Sequence, residues 1–141
     1  MKSIKFILAT AVSIGFTAAA HADSVPTRSK DFIGNYQTLV KDQQASAQVA
    51  DCLAAAYDYV KINKKYDRLG FTKADISAAK SSQKSTTFSK KDSRKVSSIL
   101  TVPGEARIKA NGYQWDNVNV RCGITNGKLA AIELVQTKAA Q

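Results

Sequence analysis

Residues 112–135, GYQWDNVNVRCGITNGKLAAIELV, decide the fold, because they carry a β-hairpin signal and one of the chain's two cysteines. Val118, Val120, Cys122 and Ile124 alternate with Asn119, Arg121 and Gly123, the period of two that gives a strand one buried face. Residues 129–135 supply the partner strand after Asn126-Gly127. A two-residue turn there sets Cys122 opposite Ala131 and Val120 opposite Glu133, which places a charge against an apolar residue on the core side. A three-residue loop, Thr125-Asn126-Gly127 with Gly127 left-handed, instead pairs Cys122 with Ala130, Val120 with Ile132 and Val118 with Leu134. This second register is the one expected.

Upstream of the hairpin, Ala106, Ile108 and Ala110 alternate with Glu105, Arg107 and Lys109, and Asn111-Gly112 signals a two-residue turn. That turn sets Ala110 opposite Tyr113 and Ile108 opposite Trp115, with Trp115 expected in the core. The apolar parity changes between Trp115 and Val118, so a bulge is expected at Asp116-Asn117. Residues 96–102 also read as a strand, stopped by the turn dipeptide Pro103-Gly104. The expected sheet is a four-stranded antiparallel meander over 96–102, 105–110, 113–124 and 129–136, and residues 138–141 are expected to fray.

The N-terminal half changes period. Phe32, Ile33, Tyr36, Leu39 and Val40 recur at helical spacing, and so do Val49, Cys52, Leu53, Ala56, Tyr57 and Val60. The polar residues 41–46 separate them, so the pattern fits two helices or one long helix with a polar waist. Cys52 lies in the middle of the second stripe, where it can meet a core-facing cysteine on the hairpin. Thr72-Lys-Ala-Asp75 has the spacing of a helix start. The fold class is therefore α+β, with one or two amphipathic helices on one face of the meander.

Residues 1–22 have the form of a secretory signal peptide: Lys2 and Lys5, an apolar stretch over 6–20, then the small-x-small run Ala20-His21-Ala22. The apolar stretch is short for a bilayer span, and no later segment is apolar enough to cross. Cleavage after Ala22 and a periplasmic or secreted location are expected. The chain's only His and only Met lie in this segment. Its removal lowers the formal charge from +10 by the two lysines to +8. Without imidazole, Ser-His-Asp and Cys-His catalysis, His-ligated zinc and histidine pH switching are closed to the mature chain. The mature part, about 119 residues, suits one small domain. We divide it into a loose, flexible arm over 23–30 and a single domain over 31–137. Two cysteines in an exported chain predict one disulfide, Cys52–Cys122, acting as a staple, since no CxxC redox spacing is present.

A helix bearing Cys52, the run Pro103-Gly-Glu-Ala-Arg107, the aromatic pair Tyr113 and Trp115, and Arg121-Cys122 on a strand resemble a family of small exported proteobacterial proteins of unknown function. The resemblance covers residues 49–135. It implies export, an α+β fold and the Cys52–Cys122 bridge, and it supplies no catalytic residue.

Two positive clusters stand out. One is Lys61, Lys64, Lys65 and Arg68, which follow the apolar helical stripe as cations suit a helix C-terminus, with Gly70 ending the element. The other is the basic loop over 80–95, KSSQKSTTFSKKDSRK, with Lys80, Lys84, Lys90, Lys91, Arg94 and Lys95 against Asp92 alone. Rich in Ser and Thr, the loop is expected to be mobile and solvated. The clusters predict binding of an anionic envelope component, lipid or acidic protein by summed potential. Aromatics are not interleaved with the basic run, which disfavours nucleic acid. The alternative is a module that binds another protein, such as an envelope factor, a secreted effector or an inhibitor of a secreted hydrolase, through the Asn111-Gly112 and 125–127 loops. The acids Asp51, Asp58, Asp67, Asp75, Asp92, Glu105, Asp116 and Glu133 have no spacing that forces two together, and no phosphate loop, zinc spacing or calcium loop appears. We expect no enzyme activity, cofactor or metal. Intact-mass analysis of protein recovered from the producing cell's envelope is expected to find an N-terminus at Asp23 and no thiol that reacts with alkylating agent.

Overall fold

The computed structural model describes residues 25–138, so the signal-peptide segment and the last three residues of the tail lie outside it. Two helices form, α1 (Phe32–Lys41) and α2 (Ala47–Lys61). Between them Gln44 adopts a left-handed φ of 59°, and Ala45 N–H donates to the Leu39 carbonyl at 3.0 Å. Ser46 then caps α2 by accepting the Val49 N–H at 3.3 Å, as a serine N-cap does. Almost every side of α2 is covered, and its run Ala54-Ala55-Ala56 is buried, which lets neighbouring elements approach its axis closely. A fully buried side chain such as Leu53 contributes about 1.5–3 kcal/mol. Residues 25–30 are not a loose arm. Arg28 pairs with Asp51 at 2.8 Å, and Ser29 N–H donates to buried Asp58 at 2.9 Å. Burial raises the Asp58 carboxyl, but the Ser29 hydrogen bonds and Lys61 outweigh it and hold the group below its usual range.

The sheet is antiparallel, with strands in the order β1 (Tyr66–Gly70), β5 (Ser98–Ile108), β6 (Trp115–Thr125), β7 (Lys128–Gln136). The short β2 (Lys80–Ser82) pairs with β5 beyond the end of β1. The expected class, helices packed on a four-stranded antiparallel sheet with one disulfide, is found, but the strands differ from those expected. Pro103-Gly104 does not turn: β5 runs straight through it, with Pro103 opposite Asn119. Ile108 N–H donates to Gln114, so even-numbered residues of β5 bond to β6 and odd-numbered ones face the other edge. Pro103 thus lacks its N–H where β2 pairing has ended at Thr101 and β1 pairing starts at Glu105.

The strand that completes the set is β1, which the sequence presents as a basic helix end. A bulge between Tyr66 and Arg68 gives its two buried residues, Tyr66 and Leu69, a spacing of three and hides the period of two. Asn111-Gly112 does not form a two-residue turn either. Arg107 pairs with Trp115 in a register that is continuous to Ser98–Ile124, so no bulge is needed at Asp116-Asn117. Tyr113 is 98% and Trp115 42% exposed, which corrects the core placement of Trp115.

At the β6–β7 turn, Asn126 and Gly127 are both left-handed (φ 52° and 73°), the two-residue form that matches strand twist. Ile124 pairs with Leu129 and Gly123 with Ala131, which leaves Ala130 bulged. The bulge moves Cys122 opposite Ile132 and Val120 opposite Leu134, so apolar still meets apolar, two residues away from the expected register. The Ala130 carbonyl accepts a hydrogen bond from the Arg94 guanidinium.

Cys52 and Cys122 are joined, with Cα atoms 6.0 Å apart, and link α2 to β6. Thr72 and Asp75 form the reciprocal cap of α3 (Lys73–Ser77), with bonds of 3.1 and 2.7 Å. The basic segment is folded down instead of mobile. Strands β3 (Thr86–Thr87) and β4 (Lys95–Val96) make a ribbon on the sheet face away from the helices. It buries Phe88 with Val96, Ile99 and Ala131. Arg121 holds it: the guanidinium pairs with Glu133, donates to the Phe88 carbonyl at 3.1 Å and lies 5.4 Å from the Phe88 ring centroid.

The ribbon can sit this close only over a glycine. A Cβ on Gly123 meets Phe88 and Val96 carbons at 2.8 Å each. Gly123→Ala is therefore expected to lower stability by about 1–3 kcal/mol in urea unfolding, and a second change, Phe88→Leu, is expected to recover part of the loss.

Candidate functional site

The two basic clusters, separate in sequence, meet across β7. A groove of about 550 Å3 has one wall from the end of α2 and the turn after it, with Tyr59, Ile62, Lys64 and Lys65. Phe88, Lys91 and Asp92 of the ribbon form the other wall, and Ile132 to Leu134 of β7 the floor. A shallower extension of about 320 Å3 continues past Lys90, Lys91 and Arg121 to Gln136.

Both walls are tight turns fixed by side chains. Asn63 Oδ1 accepts the backbone N–H groups of Lys65 and Tyr66, each at 2.9 Å, and Lys109 Nζ donates to the Asn63 carbonyl at 2.9 Å. Opposite, Ser89 Oγ accepts from Lys91 and Asp92 N–H at 3.2 and 3.0 Å, and Asp92 Oδ1 accepts from Arg94. Lys64, Lys90 and Lys91 thus project from rigid corners. Among the described residues none of the three has an ion-pair partner, and all are exposed.

The other expected cations are differently placed. Lys61 binds Asp31 and Asp58, each at 3.3 Å, and Arg94 binds Asp92 and the Ala130 carbonyl. Lys65 reaches Asp116 and Gln136 at 2.8 Å each. Arg68 lies on β1, Lys80 on β2, Lys84 in the bend before β3 and Lys95 on β4, all exposed and none lining the groove. The groove's carboxylates are occupied as well, Asp92 by Arg94 and Glu133 by Arg121.

Sequence reading missed Arg121, Glu133 and Asp116 as parts of this region. The opposition of Arg121 to Glu133 follows only from the bulged register. Asp116 receives Lys65 and the Tyr66 hydroxyl on the same oxygen, both at 2.8 Å. Those bonds, Lys65 first, hold its carboxyl below the usual range and raise the Lys65 ammonium.

A larger groove of about 810 Å3 lies between α1, α2 and the β6–β7 turn, lined by Phe32, Ile33, Tyr36 and Leu129. Its Arg28 and Asp51 neutralise each other, and Lys128 is the one lysine in its lining, so no two cations face each other across it as they do in the basic groove. Among the described residues no group of three or more His, Cys, Asp or Glu is placed to hold a metal ion, and no helix is long and apolar enough to cross a membrane.

Fold and groove together define a disulfide-linked α+β domain with a lysine-flanked cleft along a sheet edge. No family model, curated protein or solved structure matches the chain.

The Asp116 contacts set an acid limit on this region. A carboxyl whose folded pKa is depressed stabilises above its unfolded value, near 4, and that stabilisation fades as pH falls through the folded value. Asp67 shares the behaviour, held low by Arg107. The unfolding midpoint is expected to drop below about pH 4 and to drop less steeply in Asp116→Asn.

Proposed function

We propose that this chain is an exported binding protein, periplasmic or secreted, that engages anionic envelope components through the groove where its two basic clusters meet. One observation carries the reading: Lys64 and Lys91, from segments far apart in the chain, stand on opposite walls of one cleft, each on a locked turn and without a counter-ion among the described residues. Cations carried on fixed turns but not neutralised attract an anion without first giving up an internal partner. The disulfide supports an oxidising compartment, and the resemblance of residues 49–135 to small exported proteobacterial proteins agrees with it.

Binding, and not turnover, is the activity we assign. The two carboxylates at the groove are both tied to arginines, which supports a binding role for it. Retention on heparin and on vesicles rich in anionic lipid is expected to fall steeply with salt. The triple change Lys64→Gln, Lys90→Gln and Lys91→Gln is expected to weaken it about tenfold. Changing Lys80, Lys84 and Lys95 to Gln removes the same charge outside the groove and is expected to have a much smaller effect. Equal losses in the two variants would reduce the reading to a generally basic surface.

A further inference from the structure

The floor of the groove is a strand edge, and its hydrogen-bonding groups can be assigned. Thr137 N–H donates to the Asn117 carbonyl at 2.9 Å, and Thr137 continues the register that sets Gln136 opposite Val118. In an antiparallel ladder the bonded pairs alternate, so odd-numbered residues from Ala131 to Val135 bond to β6. Ile132, Leu134 and Gln136 therefore turn their N–H and C=O groups outward. β7 is the last strand of the sheet, and among the described residues no backbone partner beyond β6 meets these residues.

The edge is treated differently along its length. At Ala130 a bulge breaks the pairing line and Arg94 covers the carbonyl, which blocks strand addition there. From Ile132 to Gln136 the line is regular; Ile132 is buried, Leu134 is half-buried and Gln136 is exposed, so the accessible part of the edge is Leu134 to Gln136. Along that part the walls are Lys64 on the helix side and Lys90 and Lys91 on the ribbon side. Below the lysines lie Ile62 and Tyr59 on one wall and Phe88 on the other.

We infer that β7 accepts an extended acidic segment of another polypeptide as an added strand. The inference rests on the basic-groove reading above and narrows its anion to a peptide. An added strand completes the outward N–H and C=O groups of Leu134 and Gln136, and its side chains alternate toward the two walls. Asp or Glu on either face then meets a lysine. A lipid headgroup or a sulfated sugar can satisfy the lysines but has no regular donor and acceptor row for the strand edge. A second copy of this chain has the row but brings its own lysines to the same walls, so like charges oppose self-pairing.

The test uses the mature, oxidised protein and an eight-residue peptide of alternating Glu and Val. A second peptide is N-methylated on the residues whose N–H groups would face β7. The first is expected to bind and to slow amide exchange at Leu134 and Gln136. The N-methylated peptide is expected to bind about tenfold more weakly or worse, because the strand hydrogen bonds are lost. Gln136→Pro removes one outward N–H without touching the β6–β7 ladder and is expected to weaken only the unmodified peptide. Equal affinity for the two peptides would overturn strand addition and leave the basic-groove reading intact. Equal binding by the Lys64, Lys90 and Lys91 triple variant would sink both. A stable dimer of the unliganded protein with β7 amides already protected would assign the edge to a second copy instead.

Discussion

The covalent link between Cys52 and Cys122 is the constraint on which the rest depends. It spans 70 residues, a closure worth about 4 kcal/mol in the chain-entropy model. That is a large share of the 5–15 kcal/mol typical of a domain. Its position matters as much as its size. It joins the helix covered on nearly every side to a strand that is hydrogen-bonded on both sides, so the layers are tied where each is least able to move.

Cys122 has a neighbour that does the corresponding work on the other face. Successive strand residues point to opposite faces, so Arg121 projects away from the helices and holds the ribbon through Glu133 and the Phe88 carbonyl. Two adjacent residues of β6 thereby fasten two layers, one by a covalent bond and one by a charged hydrogen-bond network. The groove needs both, since one wall belongs to the helix layer and the other to the ribbon. A chain lacking either tie would still carry its lysines but would not hold them across a common floor.

Much of this was legible in the sequence and some was not, for definite reasons. The helical stripes, the α3 capping box, the long strand with Cys122 and the disulfide rest on strong local periods or on simple cysteine arithmetic, and each is found. The errors sit where a bulge or a neighbour overrides local preference. A bulge hid β1, and a bulge at Ala130 solved the parity conflict that a longer turn was expected to solve. Pro103-Gly104 passed as a turn because the gap between β1 and β2, where a missing N–H costs nothing, is a tertiary fact. The basic segment looked unburiable because its single aromatic was weighed alone. Phe88 finds its cover over Gly123, a glycine 35 positions later whose missing side chain makes the space.

The groove was half legible: the cations could be read, their division into paired and unpaired could not. Lys61 and Lys65 meet Asp31 and Asp116, carboxylates brought in by the fold, and Arg94 takes the neighbouring Asp92, whereas Lys64, Lys90 and Lys91 have no ion-pair partner among the described residues. This division gives the exposed edge of β7 two properties from one cause. Lysines flanking an open strand discourage pairing between identical basic chains, the usual hazard of such an edge. The same charges lower the free energy of an approaching acidic strand. An edge that repels its own kind while attracting the opposite charge can stay open in the free protein without becoming a site of aggregation, which is the condition an accepting strand has to meet.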